Sequence, residues 1–219
     1  MYVTEQKQLQ VWHLRQHSAS ASPSREEMLR RRLSTAAGSF MARARAENDP
    51  SVLLGPFTSA GRFDACLERA GMHCLAIGGG HVVCDLTVND ELSNNYGALH
   101  GGAISTIVDV VGTLALLSKD PSRAGVSIEM NQSFCAAAKA GERIALFGSV
   151  LRYGRSLGFT EVRIRPLLGA MTREEAFALL ASQGPDARYA VLEATCGPVI
   201  AVGRHTKSFP RDRQTIHAR

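Results

Sequence analysis

The residues most able to do chemistry in this 219-residue chain lie in Asn94-Asn-Tyr-Gly-Ala-Leu-His-Gly-Gly-Ala-Ile-Ser-Thr-Ile-Val-Asp109. A polar turn runs there through a His-Gly-Gly step into a nearly all-apolar segment. Glycine inside a helix costs about 1 kcal/mol relative to alanine, so two at a helix start need another reason. The first amides of a helix have no partner within it and carry the positive end of its dipole. Without a β-carbon at Gly101 or Gly102, a ligand oxygen can approach those amides closely. The step is therefore a candidate oxyanion hole, or else the glycines only relieve crowding where the helix meets a sheet. Asp109 is the only charged residue between Gly101 and Ser118, flanked by Ile107, Val108, Val110 and Val111. An isolated carboxylate in apolar surroundings is costly, which makes Asp109 a candidate general base or nucleophile. The alternative is a carboxylate satisfied by a neighbouring backbone or hydroxyl donor. Nine helical steps from His100 to Asp109 amount to about 13 Å and opposite faces. One chain cannot bring both to a single reacting carbonyl, so if both act, two chains share the site, and a symmetric dimer holds two such sites.

The elements that must position these residues follow from periodicity. Residues 101–118 form the one long apolar helical segment. Phe57 to Arg69 is a short helix candidate with Phe63 and Leu67 on one side. Met72–Ile77 and His81–Val88 read as strands around Gly78-Gly-Gly80, a run suited to a tight hairpin. Val126–Cys135, Arg143–Tyr153 and Leu157–Leu167 alternate as half-buried antiparallel strands do. Thr172-Arg-Glu-Glu175 is a capping-box pattern, and Gly184-Pro185 is expected to close the helix it opens, giving an insertion over about 169–187. Strand character returns in Arg188–Thr195 and Pro198–Ser208, and Pro210–Arg219 reads as a tail. Arg188–Thr195 and the inserted helix are expected near the sheet edge, away from Asp109. The predicted class is α+β: one domain over 51–209, an antiparallel sheet wrapped around a single central helix.

Composition, at 45% apolar and 21% charged, is that of an ordinary globular chain. No run of 18 apolar residues is uninterrupted, so no membrane span is expected. The net charge of +5 is local. Residues 1–46 hold eight Lys/Arg and three Asp/Glu, whereas residues 47–219 hold seventeen of each. The neutral body and the lack of aromatics interleaved with the basic residues argue against nucleic acid. Residues 1–50 read as a basic, poorly ordered extension whose Arg- and Ser-rich character resembles a transit peptide, which puts the protein in the mitochondrion or the cytoplasm. Five cysteines (Cys66, Cys74, Cys84, Cys135, Cys196) with no C-x-x-C pair suit a reducing compartment and give no metal site. Cys135 and Cys196 read as small buried side chains. Gly154-Arg-Ser-Leu-Gly158 matches the serine-hydrolase string, but that elbow needs a helix after it, and the strand-like Phe159–Ile164 makes it a hairpin turn.

Three separated motifs, Asn94…Gly97-x-Leu-His100-Gly-Gly102 with Asp109, Gly125-Val-Ser127-x-x-Met-Asn131, and Gly203-Arg-His-Thr-Lys207, resemble the hotdog-fold acyl-CoA thioesterases of the phenylacetyl-CoA thioesterase (PaaI) branch. The resemblance covers roughly Phe63 to Phe209. It implies a hotdog homodimer or homotetramer that hydrolyses acyl-CoA to acid and CoA, with no metal and no cofactor beyond the CoA of the substrate. It puts the water-activating carboxylate at Asp109 and a water-placing hydroxyl at Ser127. From the other subunit come the carbonyl-polarising amide of Gly101 and the substrate-arranging Asn94 and His100. The CoA-contacting stretches fall on Phe134–Lys139, on Arg152–Leu157 (Arg152, Tyr153, Gly154, Arg155, Ser156, Leu157) and near Ser208, with Lys139, Arg152, Arg155, Arg204 and Lys207 as phosphate partners on charge. The chain departs from the family at Cys135–Ala138, where relatives commonly carry a Ser-Pro pair, and in the insertion. Both bear on acyl preference and CoA pose rather than on the reaction. A hotdog enoyl-CoA hydratase and a non-catalytic acyl-CoA sensor are the rival readings. The first pairs an Asp and a His on the helix's entry loop, and the second lacks a base.

Overall fold

Gly101–Lys119, here α2, sets the architecture because it is apolar on nearly every side and must be covered on nearly every side. In the computed structural model, described for residues 63–120, 123–168 and 185–209, the cover is a six-stranded antiparallel sheet. Its strands are β1 (His73–Gly78), β2 (His81–Thr87), β3 (Val126–Phe134), β4 (Arg143–Tyr153), β5 (Leu157–Pro166) and β6 (Ala201–Ser208). They lie in the order β1-β2-β4-β5-β6-β3. The β1–β2 hairpin closes Gly78 against His81, with Gly79 and Gly80 at φ +63° and +97°, a conformation open to glycine. Leu146, Val162 and Ile164 pack under the helix with Val108, Val111 and Leu114. Gly203 lets β6 come close: a β-carbon there would lie 2.5 Å from a Val108 methyl. By length and composition alone α2 could cross a bilayer, yet most of it is buried inside the molecule.

Two elements differ from the sequence reading. Residues Arg188–Thr195 are not a strand but the body of α3 (Pro185–Ala194). The buried Tyr189 and Leu192 are three apart, and half-buried Cys196 is four further on, which is helical spacing rather than alternation. Pro185 is the first residue of this helix, as suits a residue without an amide hydrogen, and the helix it was expected to close lies outside the described residues. The short first helix, α1 (Ala65–Arg69), begins after Phe63, so Phe63 is 78% exposed while Leu67 is buried. Cys135 is exposed and Cys196 half-buried, against the expectation of two buried thiols. The extension over residues 1–50, the capping box Thr172–Glu175 and the tail Pro210–Arg219 lie outside the described residues.

The sheet has two covered faces. One holds α2; on the other, Tyr189 and Leu192 of α3 pack on Leu75, Val83 and Phe147, with the Tyr189 and Phe147 rings edge to face at 5.2 Å. This places α3 over β1 and β2 at the sheet edge, with the sheet between it and α2. Truncating Leu192 to Ala is therefore expected to cost about 2–5 kcal/mol of stability by leaving a cavity. The loss should appear as a lower midpoint in denaturant unfolding, while the circular-dichroism spectrum of the folded protein at low temperature stays that of the wild type.

Candidate active site

The start of α2 is built by its own turn. Asn94 Oδ1 accepts from the amides of Tyr96 (2.9 Å) and Ala98 (3.2 Å), and its own amide donates to the Ala98 carbonyl at 2.7 Å. His100 is the N-cap: its Nδ1 accepts from the Gly102 amide at 2.9 Å. A β-carbon on Gly102 would lie 3.0 Å from that nitrogen, so the second glycine makes room for the imidazole cap. With Gly102 capped, the Gly101 amide has no partner among the described residues. Gly101 lines a cavity of about 360 Å³ together with Asn94, Leu99, Ile104, Phe134 and Cys135. A helix-terminal donor without a partner, beside a largely apolar cavity, is suited to a carbonyl or carboxylate oxygen.

Asp109 is not the isolated acid that its sequence neighbours imply, for its side chain is 44% exposed and has polar company. Alternation along β6 turns Gly203, His205 and Lys207 toward α2, and the last two meet the carboxylate where the helix crosses the β3–β6 pair. Lys207 Nζ lies 3.5 Å and His205 Nδ1 3.6 Å from Asp109 Oδ1. Thr113 Oγ1 donates to the Asp109 carbonyl at 2.7 Å and accepts from Lys207 Nζ at 2.7 Å. His205 Nε2 is 2.9 Å from Ser127 Oγ on β3. Burial pulls the Lys207 ammonium below the usual lysine range, with Asp109 opposing. Burial, and next the Lys207 charge, hold the His205 imidazole below the usual histidine range, with Asp109 and Glu129 opposing. Asp64, ahead of α1, is raised by burial and then by repulsion from Asp109, so a second carboxylate faces the same centre. His205, Thr113 and Asp64 were not singled out in the sequence. The period of two in Gly203-Arg-His-Thr-Lys207 was the available signal for the first.

The remaining sequence candidates fall into separate places. Asn94, His100, Gly101, Phe134 and Lys139 cluster at the start of α2, where Lys139 is exposed and bridges to Ala98. Tyr153, Gly154, Arg155, Ser156, Leu157 and Ser208 cluster at the β4–β5 hairpin: Gly154 N donates to Leu157 O at 2.8 Å, and Leu157 pairs with Ser208. Arg123 pins this hairpin by bonding the Arg155 carbonyl and lying 4.1 Å from the centre of the Phe209 ring. Tyr153 Oη donates to Asp120, the C-cap of α2, at 3.3 Å. The two clusters thus sit at opposite ends of a helix about 28 Å long, with Asp109 and Ser127 between. Gly154–Gly158 joins two strands, so Ser156 is not on a nucleophile elbow. Two basic candidates point elsewhere than at a phosphate. The Lys207 ammonium is buried against Thr113 and Asp109, and Arg204, on the sheet face away from α2, reaches Glu161 at 3.4 Å. Alternation along β6 puts these two on opposite faces of the sheet. Arg152 is exposed.

The chain is similar to known proteins in sequence and in fold. The sequence pattern of the thioesterase superfamily matches residues 96–167. Human acyl-coenzyme A thioesterase 13 is 37% identical over 105 residues, which are 48% of this chain and 74% of the human protein. The crystal structure of zebra fish thioesterase superfamily member 2 superposes with a TM-score of 0.53 at 30% identity, over 81% of this chain and 98% of that one. The Escherichia coli PaaI protein of the phenylacetic acid degradation operon has the same fold, with a TM-score of 0.51 at 18% identity over 81% of this chain and 96% of that one.

Proposed function

Because the chain belongs to the thioesterase superfamily and has its hotdog fold, we propose that it hydrolyses acyl-CoA thioesters, fatty or aryl, to free acid and CoA. The observation that carries the reading is that Gly101, whose amide has no partner among the described residues, lines a largely apolar cavity, together with a half-exposed carboxylate at Asp109 on the same helix. In the proposed reaction Asp109 takes a proton from water while the water oxygen bonds to the thioester carbon. The carbonyl oxygen becomes an oxyanion held by the Gly101 amide, a donor aimed where charge develops. Collapse breaks the carbon–sulfur bond, and the proton on Asp109 goes to the departing thiolate. Ser127 helps place the water. Asn94 and His100 keep the turn that presents Gly101. Lys139, Arg152 and Arg155 are the exposed cations available to CoA phosphates.

The reading needs two copies of the chain, since Gly101 and Asp109 lie about 12 Å apart along one helix. β3 supports such a pairing. It is the last strand of the sheet and shows Val126, Ile128, Met130 and Phe134 to solvent, and a long edge with apolar side chains is a template for another strand. A two-fold axis beside this edge would set the start of one α2 toward Asp109 of the partner.

The test is thiol release from straight-chain, branched and arylacetyl-CoA substrates by the purified chain. CoA thiol should appear in step with free acid. Hydration of crotonyl-CoA without thiol release, or saturable acyl-CoA binding without turnover, would overturn the proposal in favour of a hydratase or a sensor.

A further inference from the structure

We propose that His205 is a positioning residue for this hydrolysis, fixing the Ser127 hydroxyl so that its oxygen receives a hydrogen from the attacking water. The inference rests on the thioesterase reading above and adds a residue to it. His205 is fully buried under α2, and its two ring nitrogens lie near the exposed Ser127 and the half-exposed Asp109. Nε2 lies 2.9 Å from Ser127 Oγ, and Nδ1 lies 3.6 Å from Asp109 Oδ1 with no hydrogen bond among the described residues. The charged groups around the ring are Asp109 of α2, Lys207 of the same strand and Glu129 of β3.

The polarity of this bridge follows from counting protons. Burial and the Lys207 charge favour the neutral imidazole, which carries one N–H and one lone pair. A lone pair at Nδ1 would face the Asp109 carboxylate, whereas an N–H there is attracted to it. The proton therefore belongs on Nδ1, and Nε2 is left as an acceptor. Ser127 has one hydroxyl hydrogen and must give it to Nε2. Its lone pairs then have no competing proton and are open to the exposed side. A water between Ser127 and Asp109 can donate one hydrogen to each oxygen, which aims its own lone pair at a carbonyl carbon. With the opposite tautomer, Nε2–H would donate to Ser127, and the serine hydrogen would rotate toward the water and repel it. The imidazole thus sets the direction of the hydrogen bonds without touching substrate.

Two measurements on the full chain test this. Nitrogen-15 spectra of the imidazoles, with the His205 signal assigned by its loss in His205→Gln, should show the neutral tautomer protonated at Nδ1. In steady-state assays, His205→Ala and His205→Asn are expected to lose about 100-fold in kcat with KM within about threefold, while His205→Gln stays within about tenfold of wild type. The glutamine amide oxygen reaches the place of Nε2 and can accept from Ser127, whereas the asparagine amide reaches only the place of Nδ1. A merely structural role predicts losses that follow stability and do not separate Gln from Asn. An active wild type with His205 protonated at Nε2, or with equal loss in all three variants, overturns the positioning role and leaves the thioesterase reading intact. A wild type that releases no thiol overturns both.

Discussion

Asp109→Asn is expected to lower kcat by about two to four powers of ten with KM changed by less than about threefold, the size and pattern of losing a positioned base. The amide matches the carboxylate in shape and sits at a half-exposed position, so the backbone of α2 has no cause to move. What it loses is the capacity to take a proton from water. It also strips the buried Lys207 ammonium of its nearest countercharge, leaving only the more distant Asp64, and a buried cation that loses its close partner is destabilising. Thermal unfolding of Asp109→Asn should therefore come at lower temperature than wild type. Adding Lys207→Met, of similar length and without charge, should recover much of the melting temperature and none of the turnover. Near-normal kcat in a folded Asp109→Asn protein rejects Asp109 as the base.

That double variant exposes the limit of reading the site from sequence. Ile107, Val108, Val110 and Val111 around Asp109 correctly announce a buried helix, the strand read over Arg143–Tyr153 coincides with β4, and β5 was legible because alternation is a property of the strand itself. The surroundings of Asp109 were not legible in its own segment, because they come from β6, about 100 residues later, and from the register that sets His205 and Lys207 under the helix. Lys207 looked like a phosphate ligand on charge alone, and only its burial shows the charge turned inward. α3 misled for a related reason: its apolar residues are few, so a short stretch of Tyr189-Ala-Val-Leu192 carries strand-like composition until the outer face of the sheet selects Tyr189 and Leu192. The turn at Asn94 to Gly102, by contrast, is local chemistry, and its glycines and cap residue were informative before any fold was known.

Gly101→Pro should lower kcat by about 10²–10³, the loss seen when one oxyanion donor is removed. Proline is well suited to this test because Gly101 is the first residue of α2, where a missing amide hydrogen breaks no helical bond. His100 before it is extended, at φ −69° and ψ 139°, as a residue preceding proline prefers. Gly101→Ala is the control: its methyl would meet the Phe134 ring at an ordinary 3.6 Å and the amide survives, so the fall from Ala to Pro is the share of the donor. The same variant tests whether two chains build each site. Gly101→Pro keeps a working Asp109, and Asp109→Asn keeps a working Gly101. Unfolded together in equal amounts and refolded, they should form mixed dimers in which one of two sites is intact, restoring about a quarter of wild-type activity by random pairing. A site contained in one chain would leave every mixture as inactive as its parents, whatever the oligomer.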